Sequence, residues 1–516
     1  MSDISLQTTT NAGRDSLTKS LWQEDALADV KGGQPSAASI YDVLVIGAGI
    51  TGVTAALMLQ KQGKTVVVAE ARHVGNGTTG GTSAHLNTFF DATYPEIEKD
   101  FGEDEAKLVA RGGKEAFDII AGFVKEYNID CDLEYKDAYL FSENDDESKQ
   151  LDEILESSKK AGVDVVSTIK NGVVIPFQKA IVFKNQGQFH PLKYINSLAK
   201  EFVKAGGILL EQTFIRETTF ENDVHTAKGD QIQIKARNII YATHIPPGVN
   251  LLDFKCAPYR SYVLGIRLED ENYPESLAYD MKEPYHYFRT HRINGNDYLL
   301  VGGEDHKTGH DDPEAAFRNL EAYVAKYYNI ASVPYKWSSQ YYIPADGLPY
   351  IGQLPGGDNR IYMATGYNGN GMMFGTLAAK ILTDIIIGKD TVYAGLFSPS
   401  RVKPIAGFVD FIKENADVAY HFVADRIFGQ DIASLNEIPA DSGKIVEYHD
   451  QKLAIYKDAA GKVHALNPVC THAKCIVNFN AAEKSWDCPC HGGRFNINGQ
   501  VLTGPPRMDL QKVEIS

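Results

Sequence analysis

Four residues near the C-terminus combine two side-chain types that bind transition metals. Cys470 and His472 are separated by one residue, and Cys488 and His491 by two. Thiolates and imidazoles are ligands for zinc and for iron–sulfur clusters alike. Two short loops, each contributing one thiolate and one imidazole, would have to converge to build a shared site. The spacing therefore predicts a metal centre in this part of the chain.

The segments around these residues, CTHAKC and CPCHGGRF, resemble those of the Rieske 2Fe–2S domain. The resemblance implies that Cys470 and Cys488 bind one iron, while His472 and His491 bind the other. A four-coordinate zinc site built from cysteine and histidine is the alternative. The Cys-x-His and Cys-x-x-His pairs, the two glycines after His491 and the GPP turn at 504–506 favour the cluster.

Four further positions follow from the same resemblance. Cys475 and Cys490 match the loop-bridging disulfide of respiratory Rieske proteins, and a cage that brings both loops together would suit its short reach. Gly493 and Phe495 stand where those high-potential relatives have a serine and a tyrosine that donate hydrogen bonds to the cluster. Fewer hydrogen-bond donors stabilise the reduced cluster less, which lowers its reduction potential. We therefore expect a reduction potential in the lower half of the Rieske range, roughly −150 to +100 mV.

A glycine-rich turn near the N-terminus predicts a second cofactor. Gly47, Gly49 and Gly52 form a GxGxxG between the apolar run YDVLVI and a helical pattern, and Glu70 closes the next apolar run. Such glycines permit a tight turn, close approach of a pyrophosphate and close helix–strand packing, and the acid accepts hydrogen bonds from a ribose. A second match, at 75–80, lacks this context and is interpreted as a glycine-threonine loop facing the same ligand. The chain is thus expected to bind one dinucleotide.

Several segments resemble the D-amino-acid-oxidase-like flavoproteins, which include glycine and sarcosine oxidases. They are EARHVGNGTTGGTSAH, FHPLKYINSLAKEFVKAGG, NIIYATH, and DGLPYIG followed by YMATGYNGNGMMFG. The resemblance implies that the dinucleotide is FAD. Carried over by position, the expected FAD-binding residues are Gly47, Gly49, Ile50, Thr51, Gly52, Glu70, Ala71, Arg72, Thr78, Thr79, Thr82, Ser83, Ala84, Ile215, Ala242, Thr243, Gly366, Gly371, Met372 and Met373.

Two histidines depart from that family pattern. His244 stands where the family usually has glycine, and a packed position beside the cofactor is the interpretation preferred over a functional one. His85 could tether the flavin, but its offset from the glycine-threonine loop differs from that of histidyl-flavin relatives.

The residues expected to act on a substrate are Tyr287, Arg289 and His306. Tyr287 and Arg289, in the strand HYFRTHR, occupy about the place of the carboxylate clamp of amino-acid oxidases, for which a bidentate arginine is suited. An ordinary salt bridge is the alternative for Arg289. His306 follows the strand LLVGG in a polar turn, EDHK, that could line the pocket.

The elements that must position these residues divide the chain into four parts. Residues 1–40 read as a polar arm, 41–399 as the FAD-dependent oxidoreductase, 400–429 as a helical linker and 430–516 as an all-β Rieske domain. Within the second part, about 41–90, 186–255 and 336–390 are expected to form a Rossmann-like α/β FAD-binding domain. Residues 91–185 and 256–335 are expected to form an inserted substrate domain with an antiparallel sheet.

The charge and the apolar runs of the chain limit the partners and the cellular location that we expect. The chain has 67 acidic against 51 basic residues and a net charge of −16, which disfavours nucleic acid and anionic membranes as partners. Apolar runs fall short of the roughly 20 residues of a membrane span. The N-terminus lacks the apolar core of a signal peptide, so a cytoplasmic location is expected.

The FAD-like and Rieske-like halves together resemble a bacterial group of FAD-dependent oxidoreductases with a C-terminal Rieske domain, whose members usually read CHGSRF where this chain has Gly493. The resemblance implies a dehydrogenase that oxidises an amine or amino acid and passes single electrons through the cluster to an external acceptor. An electron-transfer protein without a small substrate is the main alternative. A Rieske oxygenase is disfavoured because no 2-His-1-carboxylate iron motif is recognisable.

Overall fold

The computed structural model describes residues 17–24, 30, 32–356, 360–402, 430–432 and 434–515. They form two large sheets in the first 402 residues and two small sheets in the C-terminal part. The expected fold class is confirmed: a Rossmann-like unit with an inserted sheet, followed by an all-β domain. The predicted linker, 400–429, lies almost wholly outside the described residues.

The first sheet carries the glycine-rich turn. Its central strands are short apolar runs whose residues Val43, Leu44 and Val45 are fully buried, as expected for parallel strands covered on both faces. The order is β16-β17-β10-β1-β2-β7, with the β8–β9 hairpin attached to β10. Its strands are β1 (Ile40–Ile46), β2 (Val66–Ala69), β7 (Ile208–Leu210), β8 (Ile215–Glu221), β9 (Val224–Gly229), β10 (Gln233–Tyr241), β16 (Tyr350–Gln353) and β17 (Ile361–Thr365).

The second sheet has nine strands and lies mostly in the part that the sequence predicts as the inserted substrate domain. Its order is β15-β11-β14-β13-β12-β4-β6-β3, with β5 paired to β6. The pairings are antiparallel except for β12 with β4, and β15 continues this sheet to Pro344, beyond the expected boundary at 335. Its strands are β3 (His85–Leu86), β4 (Glu134–Ser142), β5 (Val165–Thr168), β6 (Lys179–Gln188), β11 (Cys256–Leu268), β12 (Leu277–Tyr279), β13 (Tyr287–Ile293), β14 (Asn296–Lys307) and β15 (Ile330–Pro344).

Eight α-helices cover these two sheets in the described part of the chain. The helix after the glycine-rich turn is buried along most of its length, since it packs between the first sheet and a second apolar helix near residue 380. The helices are α1 (Ile50–Lys61), α2 (Thr78–Gly81), α3 (Tyr94–Phe101), α4 (Glu103–Glu126), α5 (Asp145–Ala161), α6 (Pro191–Lys204), α7 (Pro313–Val324) and α8 (Gly371–Ile386). Two of them, α4 and α5, begin with three acidic residues each.

The C-terminal domain consists of two four-stranded sheets, β18-β19-β20-β21 and β22-β23-β24-β25. Trp486 and Phe495, both fully buried, form part of its core beside the cysteines. Its strands are β18 (Gln430–Asp431), β19 (Ser442–Tyr448), β20 (Gln451–Lys457), β21 (Val463–Leu466), β22 (Asn478–Asn480), β23 (Ser485–Asp487), β24 (Arg494–Asn496) and β25 (Val501–Thr503).

Part of the N-terminal arm packs into the core, which the sequence did not suggest. Leu21 and Trp22, in a short 3-10 helix, are fully buried. The indole of Trp22 donates a hydrogen bond to the carbonyl oxygen of Thr82 at 2.6 Å, and Ser20 donates to Gly80 O at 2.6 Å. Among the helices of the described residues, none is both long and apolar enough to cross a bilayer.

Candidate active site and iron–sulfur centre

The glycine-rich turn has the geometry that the sequence predicts. Gly47 lies at the end of β1 with a φ of +104°, and a Cβ there would meet Ala242 O at 2.5 Å. A Cβ on Gly52 would meet Gly47 O at 1.9 Å, so the turn and α1 can pack only with glycine at this position. The first helical amide, Ile50 N, donates to Thr79 Oγ1 at 3.0 Å. This is a cradle suited to a pyrophosphate.

Glu70 extends from the end of β2 into this cradle. Its two carboxylate oxygens accept hydrogen bonds from Ala48 N and Arg72 N, each at 2.8 Å. Burial raises the pKa of Glu70, although these backbone donors and the Arg72 guanidinium oppose the rise. A carboxylate fixed in this way is positioned to accept hydrogen bonds from a ribose.

The glycine-threonine segment after β2 is a four-residue helix, α2, and not the loop expected from the sequence. Its first residue, Thr78, contacts His244 Nδ1 at 3.2 Å and donates to Gln340 O at 3.2 Å. His244 has a φ of +69°, a conformation that glycine adopts most easily. This explains why a glycine is usual there, and the His244 ring packs against Tyr342 with centroids 4.8 Å apart.

These elements surround a cavity of about 1140 Å³, which is large enough for a dinucleotide and a small substrate. Most of the expected cofactor residues line it, and Gly52, Ala84 and Gly366 are set back from its wall. The lining residues among those predicted are Gly47, Gly49, Ile50, Thr51, Glu70, Ala71, Arg72, Thr78, Thr79, Thr82, Ser83, Ile215, Ala242, Thr243, Gly371, Met372 and Met373. The last three begin α8, so its positive end faces the cavity.

The substrate side of the cavity is lined by aromatic rings and carboxylates. Tyr279, Tyr285, Tyr287 and Tyr341 belong to this wall, and Asp305 lies among them. Tyr341 donates to the Asp305 carboxylate at 2.8 Å, and desolvation raises the pKa of Asp305 to about 7.

A second carboxylate faces the same space. Asp91 accepts a hydrogen bond from Gly369 N at 2.7 Å. Although Asp91 is exposed to the cavity, desolvation within it raises the pKa of this residue to about 6. With Asp305, it gives this side of the cavity an acidic character.

Arg289 does not line the cavity. It is fully buried, and its guanidinium donates to Ser83 O and Ala84 O at 2.8 Å and contacts His291 Nδ1 at 2.7 Å. The ring of Trp22 lies 5.3 Å from the guanidinium carbon. Burial lowers the pKa of Arg289 to about 9. This arginine therefore supports the chain segment that follows α2.

The two histidines considered for chemistry lie in different places. His306 is outside the main cavity, at the boundary with the C-terminal domain, where its Nε2 lies 2.7 Å from the hydroxyl of Tyr262. His85 lines the main cavity, with its ring between Tyr279 and Tyr287. Burial lowers the pKa of His85 to about 3, so its imidazole is neutral.

The four predicted iron ligands converge. Cys470, Cys488 and His491 are buried, and the His472 and His491 rings lie 5.0 Å apart at 87°. The thiols of Cys470 and Cys488 hydrogen-bond one another. His472 Nδ1 and both ring nitrogens of His491 are buried without a hydrogen-bond partner among the described residues. Two adjacent thiols and two unpaired imidazole edges fit a 2Fe–2S cluster with two ligands on each iron.

Cys475 and Cys490 form a disulfide with a Cα–Cα distance of 6.5 Å, as the resemblance implies. These two sulfurs and that of Cys488 lie within 4.8 Å of one another, but the disulfide leaves only Cys488 of the three as a thiol ligand. A Cβ on Gly493 would meet Pro506 Cδ at 2.8 Å. Position 493 is therefore closely packed against Pro506 of the GPP turn.

The cavity and the iron ligands are separated by little more than one side chain. Gln340, on the cavity wall, donates to Gly492 O at 3.0 Å, and Tyr342 donates to His491 O at 3.2 Å. The other histidine ligand also contacts the FAD-binding half, since His472 Nε2 lies 3.2 Å from the Asp253 carboxylate. Burial lowers the pKa of His491 to about 4, so its ring is in the neutral form that binds metal.

Sequence reasoning missed several of these residues. Asp91, Gln340, Tyr342 and Asp253 carry no motif, because they reach the two sites from strands or turns distant in sequence. Asp305 is adjacent to His306 in the segment EDHK, which the sequence predicted to be a polar turn. The structure places this segment at the end of strand β14, where Asp305 lines the cavity and His306 does not.

Comparisons with known proteins agree with both sites. The family model for DAO, the FAD dependent oxidoreductases, matches residues 42–385, and the model for the Rieske [2Fe-2S] domain matches residues 429–514. A Bacillus subtilis protein named as a Rieske 2Fe-2S iron-sulfur protein, YhfW, is 33% identical over 479 residues, covering 92% of this chain and 93% of its own length. The matches assign FAD to the cavity and a 2Fe–2S cluster to the cysteine-histidine cage.

Two further relatives match the oxidoreductase part. Gamma-glutamylputrescine oxidoreductase of Escherichia coli is 27% identical over 365 residues, covering 67% of this chain and 84% of its own. The crystal structure of glycine oxidase from Geobacillus kaustophilus superimposes with a TM-score of 0.59 at 18% identity, covering 70% of this chain and 99% of its own. The latter likeness establishes the fold.

Proposed function

Because the chain belongs to the DAO family of FAD-dependent oxidoreductases and carries a C-terminal Rieske 2Fe–2S domain, we propose that it is an amine dehydrogenase with a built-in one-electron exit. In this proposal an amine is oxidised in the FAD cavity, and the electrons leave singly through the cluster to an external acceptor. The observation that carries the proposal is the shared wall between the two sites. Gln340 lines the cavity and hydrogen-bonds the residue next to an iron ligand.

Three contacts support a direct route through that wall. Thr78, on the cavity side, donates to Gln340 O, while the side chain of Gln340 donates to both Tyr342 Oη and Gly492 O. Electron tunnelling weakens steeply with distance, so a covalent and hydrogen-bonded path one residue thick favours transfer within the chain. FAD would supply a two-electron acceptor and the cluster a one-electron acceptor when bound.

The cavity wall favours a substrate that carries positive charge. Asp91 and Asp305 would attract an ammonium group, and the faces of the surrounding tyrosines stabilise a cation by cation–π contact. Lys282, on the same side, is paired with Glu143 at 3.0 Å. The Arg289 guanidinium already donates hydrogen bonds to backbone carbonyl oxygens, so in this proposal it does not bind a substrate carboxylate.

We therefore propose a diamine or an amine with a distal cation as the substrate class. One relative, the Escherichia coli protein, is named for a putrescine derivative, which is in keeping with an amine substrate. The tyrosines and carboxylates of the cavity wall also disfavour the alternative, an electron-transfer protein without a small substrate, because an apolar pocket would be expected there.

The test is an anaerobic survey with matched four-carbon probes. We expect 1,4-diaminobutane to bleach the flavin absorbance at lower concentration than 1-aminobutane, which lacks the second charge. We expect 4-aminobutanoate, which replaces that charge by a carboxylate, to be the poorest of the three. If the carboxylate probe reduced the flavin best, the substrate class would be wrong. If no amine bleached it while a reduced carrier protein did, the electron-transfer alternative would replace the proposal.

A further inference from the structure

One histidine of the iron–sulfur cage is held by a carboxylate that belongs to the other domain. His472 Nε2 lies 3.2 Å from Oδ2 of Asp253, and the two side chains are only 2% and 1% exposed. Asp253 stands in a short 3-10 helix, Leu251–Phe254, just before strand β11 of the second sheet. The contact therefore joins the metal-ligand loop directly to the oxidoreductase part of the chain.

This contact determines which ring nitrogen of His472 is left for iron. Nδ1 is buried and has no hydrogen-bond partner among the described residues, whereas Nε2 faces the carboxylate. A neutral imidazole that binds a metal through Nδ1 carries its proton on Nε2, so the Nε2–H group of His472 would donate to Asp253. Metal-binding histidines commonly donate to a carboxylate in this way, which fixes the ring orientation and makes the ligand more basic.

The second histidine of the cage has no comparable partner. Both ring nitrogens of His491 lack a hydrogen-bond partner in the part of the chain that the structure describes. The ring of Phe254 lies beside it, with centroids 5.9 Å apart at 84°. The two imidazoles are therefore in different surroundings, one beside a carboxylate and the other beside an apolar ring.

Local structure accounts for Asp253 only in part. Its Oδ2 also accepts a hydrogen bond from Asn250 N at 2.8 Å, which caps the 3-10 helix. Its Oδ1 is buried and has no hydrogen-bond partner among the described residues. Burying a carboxylate with one oxygen unsatisfied costs stability, and a neutral side chain with an acceptor oxygen could cap the same turn. The charge at this position is thus better explained by the histidine that it contacts.

We propose that Asp253 is a positioning residue for the Rieske cluster: it orients His472 and lowers the reduction potential of the cluster while the two domains are in contact. Reduction adds a negative charge to the cluster, which the nearby carboxylate disfavours, and a more basic imidazole stabilises the oxidised irons. Both effects have the same sign. Because the carboxylate belongs to the other domain, reduction of the cluster must in turn weaken the contact between the domains, as linkage requires.

The first test compares reduction potentials of full-length protein that carries FAD and the cluster. Asp253→Asn keeps the size of the side chain and an acceptor oxygen but removes the charge. In a chemical redox titration followed by electron paramagnetic resonance, we expect the equilibrium to shift toward the reduced cluster by on the order of tenfold. For one electron this is a rise of about 59 mV. A chemical reductant supplies the electrons, so the result does not depend on the proposed electron relay.

Asp384→Asn is the matched control for this titration. Asp384 is a buried carboxylate of the oxidoreductase part that pairs with Lys380 at 2.6 Å, near the end of α8 that points away from the cavity. Its substitution should leave the reduction potential of the cluster unchanged. An Asp253→Asn protein with full iron content and the potential of the unaltered protein would overturn the proposal.

The second test needs no substitution at Asp253 and decides the matter even if that variant loses its cluster. Hydrogen exchange of the unaltered protein is compared before and after chemical reduction. We expect reduction to accelerate exchange at Asn250, whose amide donates to Asp253, and at Leu251–Phe254, and to leave α5 unchanged. Cys470→Ser protein without a cluster controls for reduction of the flavin and should show no acceleration. Acceleration of equal size in both proteins, or in neither, would overturn the proposal.

Discussion

The side-chain amide of Gln340 donates a hydrogen bond to the carbonyl oxygen of Gly492 at 3.0 Å, across the boundary between the FAD-binding half and the Rieske domain. Gly492 has a φ of +70°, and a Cβ there would meet Pro258 Cβ at 2.5 Å and Gln340 Nε2 at 2.8 Å. The ligand loop can therefore approach the cavity wall this closely only with glycine at position 492.

Gly492→Ala should consequently separate the two redox sites. We expect unchanged reduction of the flavin by substrate but slower transfer to the cluster, measured by stopped-flow absorbance with the iron content confirmed. Gly461→Ala is the matched control, because Gly461 has a φ of +84° and a Cβ there would meet no described atom within 4 Å. It introduces similar backbone strain without disturbing the interface. Equal transfer rates in both variants would show that the close approach is unimportant.

Glu483 is expected to hold the domains together through a buried ion pair. It lies 3.4 Å from Arg260, at side-chain exposures of 0% and 1%. Glu483→Gln leaves Arg260 buried without its counter-charge, so we expect the free energy of unfolding to fall by about 3–5 kcal/mol. The exposed pair Lys336–Glu321 provides the control, since Glu321→Gln should cost about 1 kcal/mol or less. Denaturant unfolding measures the stability of both variants. Similarly small losses in the two would contradict the role of the Glu483–Arg260 pair in holding the domains together.

Binding of a cationic amine should depend on the charge of Asp305. Its pKa is raised to about 7, so the carboxylate is charged above that pH and becomes neutral below it. We expect KM for a diamine to rise as the pH falls below about 7, and Asp305→Asn to have a higher KM without this pH dependence. Asp104→Asn, at an exposed position on α4, should leave the profile unchanged. A KM for the Asp305 variant that keeps the same pH dependence would assign the titration to another group.

The same raised pKa fixes the sign of a stability effect. The folded protein holds a proton on Asp305 at pH values where the unfolded chain, with an ordinary pKa near 4, has released it. Ionisation of Asp305 therefore lowers stability as the pH rises toward and through 7. We expect Asp305→Asn to have a Tm at pH 8 no lower than that of the unaltered protein. A clearly lower Tm at that pH would mean that the charged carboxylate is stabilised by partners other than Tyr341.

Arg289 should matter for stability and FAD retention more than for substrate choice. Arg289→Gln leaves the carbonyl oxygens of Ser83 and Ala84 without their donor, so we expect the free energy of unfolding to fall by at least about 2 kcal/mol, with faster loss of FAD. Thermal unfolding and FAD absorbance measure the two effects. A stable variant that had lost activity only toward carboxylate-bearing substrates would instead support the clamp expected from the sequence.

The sequence predicted what depends on local spacing. The turn at Gly47–Gly52 and the paired Cys-His loops are short motifs whose geometry is set by neighbouring residues, so residue types and spacing predicted a dinucleotide and a metal centre. The family resemblances then implied that these are FAD and a Rieske 2Fe–2S cluster. The sequence could not predict which face of β13 and β14 meets the cavity. That depends on contacts such as Arg289 with Trp22, which lies 267 positions earlier in the chain. Contacts between domains, such as that of Asp253 with His472, could not be predicted from the sequence for the same reason.

The most direct test of the relay uses light and needs no substrate. Anaerobic protein carrying FAD and cluster is illuminated with a sacrificial electron donor to reduce the flavin, and the cluster is followed by electron paramagnetic resonance. We predict that the signal of a reduced Rieske cluster grows as the flavin absorbance is lost, and that it is missing from a Cys470→Ser variant that still binds FAD. A flavin that is fully reduced while the cluster stays oxidised, despite an intact iron content, would contradict the account.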